Sequence, residues 1–162
     1  MHGGHGNDEL RGDAASDTLI GGQGADSLYG GEGADVITGS GLSDLIFGVY
    51  GDDFINGGFG SDRVNGGLGA DQFFHTGVAG HGSDWIQDYS AAQGDVLQFG
   101  GTASADQFQI KFGDTQNAGA AGIAEAFVIY RPTGQTLWAL VDGQEQAEIN
   151  LWIQGATFDV LA

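Results

Sequence analysis

Cysteine is absent from the 162 residues, so neither a disulfide framework nor a thiolate metal site is open to this chain. Proline occurs once. Positive charge is scarce: 4 Lys+Arg stand against 22 Asp+Glu, a formal net charge of -18. Nucleic acid and anionic membranes are held by clustered cations, so both are excluded as partners and a hard divalent cation is favoured. No apolar run approaches the roughly 18 to 20 residues of a membrane span, and the N-terminus has neither the basic nor the apolar region of a cleavable signal. The H-E-x-x-H, G-x-S-x-G and phosphate-loop patterns are missing, and His2, His5, His75 and His81 sit in or beside glycine-rich loops. No triad assembles; His81, Asp84 and Trp85 are the nearest approach to a dispersed catalytic set. The chain reads as non-enzymatic. Met1 is followed at once by a repeat in register, so a longer parent chain is expected, with any catalytic domain upstream.

Glycine is plentiful instead: 32 residues, most at fixed phase, where it serves backbone geometry rather than disorder. Over residues 3–74 an aspartate recurs every nine residues: Asp8, Asp17, Asp26, Asp35, Asp44, Asp53, Asp62 and Asp71. Two residues after each stands an apolar side chain, from Leu10, Leu19 and Leu28 through Ile37, Ile46 and Ile55 to Val64 and Phe73. Five before each stands a glycine, namely Gly3, Gly12, Gly21, Gly30, Gly39, Gly48, Gly57 and Gly66. The three columns match the calcium-binding nonapeptide G-G-x-G-x-D-x-U-x, where U is a large apolar residue.

In a unit such as residues 21–29 the first six positions read as a turn and the last three as a very short strand. Glycines at the first, second and fourth positions are expected to take φ > 0, so that several carbonyls point at one centre. Convergent oxygens suit Ca²⁺, which takes roughly six to eight of them, whereas zinc prefers nitrogen and sulfur. One unit makes half a circuit, so successive units lie on alternate edges of a flattened right-handed coil with two parallel sheets. Alternate units then stack about 4.8 Å apart. The stacked pairs are Asp8/Asp26, Asp17/Asp35, Asp26/Asp44, Asp35/Asp53, Asp44/Asp62 and Asp53/Asp71, a ceiling of six inter-loop sites. Two carboxylates at that spacing repel by about 3 kcal/mol at an effective dielectric of about 20. One apolar side chain per unit cannot offset the entropy of ordering the loops. Folding and calcium binding are therefore expected to be one event.

These residues resemble the RTX (repeats-in-toxin) family of secreted bacterial proteins, whose nonapeptides form a parallel β-roll with calcium between stacked loops. The resemblance implies an all-β chain: a right-handed parallel β-roll over residues 3–89, then a small antiparallel β cap over residues 90–162. It implies that the eight aspartates are calcium ligands. Main-chain carbonyls would complete each sphere, among them those of Gly3, Gly4, Gly6, Gly21, Gly22, Gly24, Gly30, Gly31, Gly33, Gly57, Gly58, Gly60, Gly66, Gly67 and Gly69. The second, fifth and sixth units depart from the pattern, with Asp13 and Ala15, Ser40 and Leu42, and Val49 in place of loop glycines. Extracellular calcium modules have dissociation constants of roughly 10⁻⁴ to 10⁻³ M, so the array is expected to be unfolded in the cytosol and folded outside.

Residues 79–87 fit a ninth unit at every position but the first, after a four-residue insertion at 75–78. Asp84 and Ile86 would continue the two columns, and Asp62/Asp84 becomes a seventh candidate site. Asp88-Tyr89 and residues 94–99 look like the segment after the roll in serralysin-type proteases and alginate-epimerase repeat modules. Asp88 and Asp95 are read as turn or edge carboxylates. Period-two alternation marks antiparallel strands at 106–112, 125–130, 135–141 and 148–153, with Trp138 and Trp152 as core residues and turns at 131–134 and Asp142-Gly143. This tail is expected to cap the open end of the roll. It should also cover the outward patches Tyr29, Leu45 and Phe47 on one sheet and Ile20, Val36, Phe54 and Phe74 on the other.

The chain ends Phe158-Asp159-Val160-Leu161-Ala162, which resembles the uncleaved C-terminal signal of RTX proteins exported by ABC-transporter (type I) systems. That adds the ABC-transporter secretion machinery to calcium as a partner and implies a secreted, extracellular protein. The alternative is a carbohydrate-binding accessory module of a polysaccharide-modifying enzyme, with an extracellular polysaccharide as partner. An anionic polymer would call for a cationic groove, and along the sequence Arg11, Arg63, Lys111 and Arg131 are too few and scattered to form one.

Overall fold

Each nonapeptide turns one large apolar side chain inward and its neighbours outward, and this alternation builds strands that must stack to bury anything. The computed structural model describes residues 1–116 and 118–162; Asn117, in the Gly/Ala-rich loop between strands, lies outside them. The repeats form β1 (His2–His5), β2 (Glu9–Ala14), β3 (Thr18–Gln23), β4 (Ser27–Glu32), β5 (Val36–Gly41), β6 (Leu45–Tyr50), β7 (Phe54–Phe59), β8 (Arg63–Leu68) and β9 (Gln72–His75). Odd-numbered strands make one parallel sheet and even-numbered strands the other. In register, Leu10 lies beside Leu28, Ile46 and Val64, and Leu19 beside Ile37, Ile55 and Phe73. These eight side chains are buried and form the common core of the two sheets. The all-β parallel roll expected from the periodicity is what the chain adopts.

The strands are longer than the repeat alone suggests. Each runs through the last three positions of one unit and on into the first three of the next, as β4 does from Ser27 to Glu32. Stacking supplies the reason: carbonyls and amides of the first three positions find partners in the neighbouring coil, so only the fourth to sixth positions turn.

The C-terminal region extends the sheets instead of lying over them. β10 (Asp84–Ile86) pairs in parallel with β8, and β11 (Val96–Phe99) in parallel with β9. A 3-10 turn over Ala105–Gln107 leads to β12 (Phe108–Gly113), β13 (Glu125–Tyr130) and β14 (Gln135–Leu140), an antiparallel meander whose last strand joins β10 in parallel. β15 (Asn150–Ile153) pairs in parallel with β11, and β16 (Ala156–Asp159) closes that sheet antiparallel to β15. The strand expected at 148–153 is therefore parallel to its roll neighbour and antiparallel only to β16. The expected covering of the outward patches does not occur either. Val36 and Leu45 remain exposed, while Tyr29 stacks on Phe47 with ring centroids 5.1 Å apart and Phe54 packs on Phe74 at 5.5 Å. Trp138 is wholly buried, as read from the sequence, but Trp152 lies in the outward row of its sheet and is only half-buried.

Candidate metal centre

The aspartates sit at the sixth position of each unit, where the turn ends and the next strand begins. From Asp8 to Asp53 the backbone N–H of each column aspartate donates to Oδ1 of the aspartate one coil further on. The distances are 2.8 Å for Asp8 to Asp26, 2.7 Å for Asp17 to Asp35, and 2.8 Å for Asp26 to Asp44, Asp35 to Asp53 and Asp44 to Asp62. Asp53 to Asp71 is 3.0 Å. One carboxylate oxygen is thereby satisfied. The other is not: Oδ2 of all eight repeat aspartates is buried with no hydrogen-bond partner. An orphaned buried carboxylate oxygen is costly, and here the cost repeats at every rung.

Each Oδ2 faces the first glycine of its own unit, and in the first six units a carbonyl from the next coil stands beside it. A Cβ added at Gly3 would lie 2.6 Å from Asp8 Oδ2 and 2.7 Å from the Gly21 carbonyl oxygen. The same partnership of carboxylate and carbonyl recurs over Gly12 (Asp17, Gly30), Gly21 (Asp26, Gly39), Gly30 (Asp35, Gly48), Gly39 (Asp44, Gly57) and Gly48 (Asp53, Gly66). This corrects the expected reason for the first glycine. Its φ is not positive; it is glycine because a side chain would fill the space between two oxygens. Positive φ belongs to the second and fourth positions, as at Gly22 (117°) and Gly24 (148°). The substituted loops keep that backbone too, with Asp13 at 69°, Ala15 at 75°, Ser40 at 92°, Leu42 at 71° and Val49 at 89°. Loops of the second, fifth and sixth units therefore carry the same oxygen geometry as the rest, and Gly12, Gly39 and Gly48 belong with the glycines picked out by sequence.

Past the insertion the column changes character. Trp85 pairs with Arg63, which brings Asp84 level with Asp62, and Asp62 Oδ2 and Asp84 Oδ1 both converge on Gly57. Asp84 Oδ1 is also orphaned, while Trp85 points to the outward face, so Asp84 and Trp85 share no site. His81 packs on Phe59 with tilted rings, centroids 4.4 Å apart, and the neighbouring His75 is neutral: Nδ1 accepts from Gly77 N–H at 2.9 Å and burial lowers its pKa to about 4.

Two further carboxylates close the column with protein donors. Asp95 Oδ1 accepts from Asp71 N–H at 3.0 Å, and its Oδ2 from Ser90 N–H at 2.8 Å. Asp88 takes Gly66 N–H on Oδ1 at 2.9 Å and Gly67 N–H on Oδ2 at 2.7 Å. The sequence marks them as turn or edge carboxylates because Asp95 lies 24 residues beyond Asp71, and Asp88 22 beyond Gly66, so that both fall outside the nine-residue phase. The Asp-x-Leu spacing of Asp95 and Leu97 was the available signal.

Burial raises the pKa values of the aspartates toward the C-terminal end of the column. Asp44 and Asp71 are pushed up to about 7 and Asp53 and Asp95 to about 6, the backbone hydrogen bonds pulling the other way without prevailing. Asp84 is driven up by burial and then by the Asp62 charge, and Asp62 is raised by its own burial. Among the described residues no group of three or more His, Cys, Asp or Glu side chains is placed to hold a metal. The donors are thus single carboxylates plus carbonyls, an all-oxygen set that fits a hard cation and not zinc.

A parallel β-roll with orphaned carboxylate oxygens between its coils defines a repeat protein whose loops are suited to bind a hard cation. Residues 2–37 and 38–73 each match the RTX calcium-binding nonapeptide repeat, and this array belongs to that family. Among solved structures, the chain is similar to the AlgE6R3 subunit of the Azotobacter vinelandii mannuronan C5-epimerase, solved in solution. The identity is 22%, the alignment covers 90% of this chain and 80% of that one, and the TM-score is 0.48. A comparison with curated proteins finds no match.

Proposed function

We propose that this chain is a calcium-dependent folding module that supports the export and extracellular stability of a larger protein. The observation that carries the reading is the row of buried, unpartnered aspartate Oδ2 atoms, those from Asp8 to Asp53 each facing a loop carbonyl of the next coil. Asp8, Asp17, Asp26, Asp35, Asp44, Asp53, Asp62 and Asp71 would hold calcium with those carbonyls and with the carbonyls of the second and fourth positions, and Asp84 would join Asp62 in a seventh gap. Calcium supplies the positive charge that these oxygens lack. The chain contributes the register: Asp N–H to Asp Oδ1 bonds fix one oxygen of each carboxylate and aim the other. Export rests on the terminal Phe158-Asp159-Val160-Leu161-Ala162 and on the low-calcium state being unfolded inside the cell. Residues 3–89 would be the calcium-dependent part and 90–162 the part that caps it.

The test is far-ultraviolet circular dichroism of the purified chain during a calcium titration. A β spectrum largely lost in chelator at neutral pH and restored by millimolar calcium is expected, and a spectrum indifferent to chelator overturns the coupling of folding to calcium. Deleting residues 158–162 should leave the protein inside a producing cell that carries the transporter.

A further inference from the structure

The first position of each repeat is glycine because a side chain would fill the space beside a carboxylate oxygen, and that requirement makes the preceding residue a chemical hazard wherever it is asparagine. Two residues meet the condition, Asn56 before Gly57 and Asn65 before Gly66. Glycine has no Cβ to hinder its nitrogen from reaching the asparagine side chain, so Asn-Gly closes to a succinimide more readily than other pairs. Neither glycine can be exchanged to remove the hazard. A Cβ at Gly57 would meet Asp62 Oδ2 and stand 2.9 Å from Asp84 Oδ1, and one at Gly66 would meet Asp71 Oδ2 and stand 2.9 Å from the Phe73 ring.

The folded chain restrains both pairs. Asn56 lies inside β7, in register with Thr38 and Phe74 on the flanking strands, and Asn65 inside β8, in register with Phe47. Ring closure needs the glycine nitrogen on the side-chain side of the Cα–C bond, and a parallel strand, with ψ of about +115°, turns it away. At Asn65 the attacking nitrogen is also engaged, since the Gly66 N–H donates to Asp88 Oδ1 at 2.9 Å. Opening of the coils removes both restraints.

We propose that Asn56 and Asn65 are sites of spontaneous deamidation that calcium closes, so that time spent without the ion irreversibly damages the C-terminal end of the array. Gating by calcium rests on the coupled folding proposed above. In the open chain a solvent base takes the glycine amide proton, the nitrogen attacks Asn Cγ to form the ring, and the Cγ–Nδ2 bond breaks as ammonia leaves with a proton. Water then opens the succinimide at one carbonyl or the other, giving aspartate or isoaspartate. Isoaspartate adds a carbon to the main chain and puts the following glycine out of step with the neighbouring coils. After Asn56 this displaces the glycine on which Asp62 and Asp84 converge; after Asn65 it withdraws the two N–H groups that answer Asp88. Conversion of Asn56 to ordinary aspartate is costly as well, because its Oδ1 is buried without a partner and would gain a charge there.

Peptide mapping by mass spectrometry of the full chain, incubated in mildly alkaline buffer with calcium, with chelator or with urea, tests this, circular dichroism reporting the fold in each arm. Deamidation at Asn56 and Asn65 is expected to run about tenfold or more faster in chelator and urea than with calcium, while Asn7 and Asn150, followed by Asp8 and Leu151, stay largely intact. A chelated chain that has lost its β spectrum yet deamidates at the two sites no faster than the calcium-loaded chain overturns the proposal. So does a urea arm in which Asn150 keeps pace with them. A chelated chain that keeps its β spectrum overturns the calcium reading and with it the gating, while faster reaction at both sites in urea still supports the sites themselves. Asn56→Gln with Asn65→Gln should preserve recovery of the β spectrum on adding calcium after prolonged chelation, where the original chain loses part of it; equal recovery overturns the damage.

Discussion

The repeat half and the C-terminal half solve the same problem, buried carboxylates, in opposite ways. In the repeats every aspartate leaves Oδ2 without a partner. Beyond residue 84 the carboxylates are answered by the chain itself: Asp88 by two glycine N–H groups, Asp95 by Asp71 and Ser90, and Asp159 Oδ1 by Ile149 N–H at 3.1 Å and Leu161 N–H at 2.9 Å. The aromatic clusters divide in the same way. Phe99, Phe108 and Tyr130 pack within 5.0 to 5.3 Å of one another in the C-terminal half, while the repeats bury one apolar side chain per coil edge. On the proposed reading, unpartnered oxygens in one region and internal satisfaction in the other would make calcium a requirement of the first and a bystander to the second.

Chelation should break this symmetry most visibly. Amide hydrogen exchange in excess chelator is expected to lose protection throughout β2 to β8 and to retain more of it in β13, β14 and β15; uniform loss would erase the contrast. Substitution should then separate the two kinds of carboxylate. Asp26→Ala with Asp44→Ala is expected to raise the calcium midpoint severalfold, whereas Glu9→Ala, on the exposed surface, should barely move it. Asp88→Asn should lower the unfolding free energy read from a urea titration by about 1 to 3 kcal/mol with little change in the calcium midpoint, because its partners are N–H groups.

Acidity provides a smaller effect with a defined sign. Asp44 and Asp71 near 7 and Asp53 near 6 lie above the ordinary carboxylate range, so the folded chain holds protons that the unfolded chain releases. Without calcium, stability should fall as pH rises from about 4 to about 7, and protons should compete with calcium over the same window. Circular dichroism in chelator at pH 5 and pH 8 checks this: more β structure is expected at pH 5. The smallest change concerns the strained loops. Val49 is β-branched at a φ of 89°, and Val49→Gly should stabilise the calcium-bound chain by about 1 kcal/mol, read as a raised melting temperature.

Both sheets, the inward column and the partition of outward residues were legible because a nine-residue period repeated eight times leaves little freedom of register. Tyr29, Leu45 and Phe47 do share one sheet, and Ile20, Val36, Phe54 and Phe74 the other. The single-position role of the first glycine was not legible, since space and φ leave the same residue in a sequence. Nor was the way the tail attaches. Pairing of β14 with β10 and of β15 with β11 joins residues more than fifty apart, a choice made by edge geometry rather than by alternation. The same long-range pairing gathers Arg63 and Lys111 on one face, which their positions in the chain conceal.

The stack of coils also has a mechanical meaning. Hydrogen bonds tie Asp8, Asp26, Asp44 and Asp62 along one edge, and Asp17, Asp35, Asp53, Asp71 and Asp95 along the other, each bond joining only neighbouring coils. Tension applied at the N-terminal end therefore loads one rung at a time. Such a chain should unzip in increments of one nonapeptide, about 30 Å of extended length, stopping where Asp88 and Asp95 pass the load to bonds that need no ion.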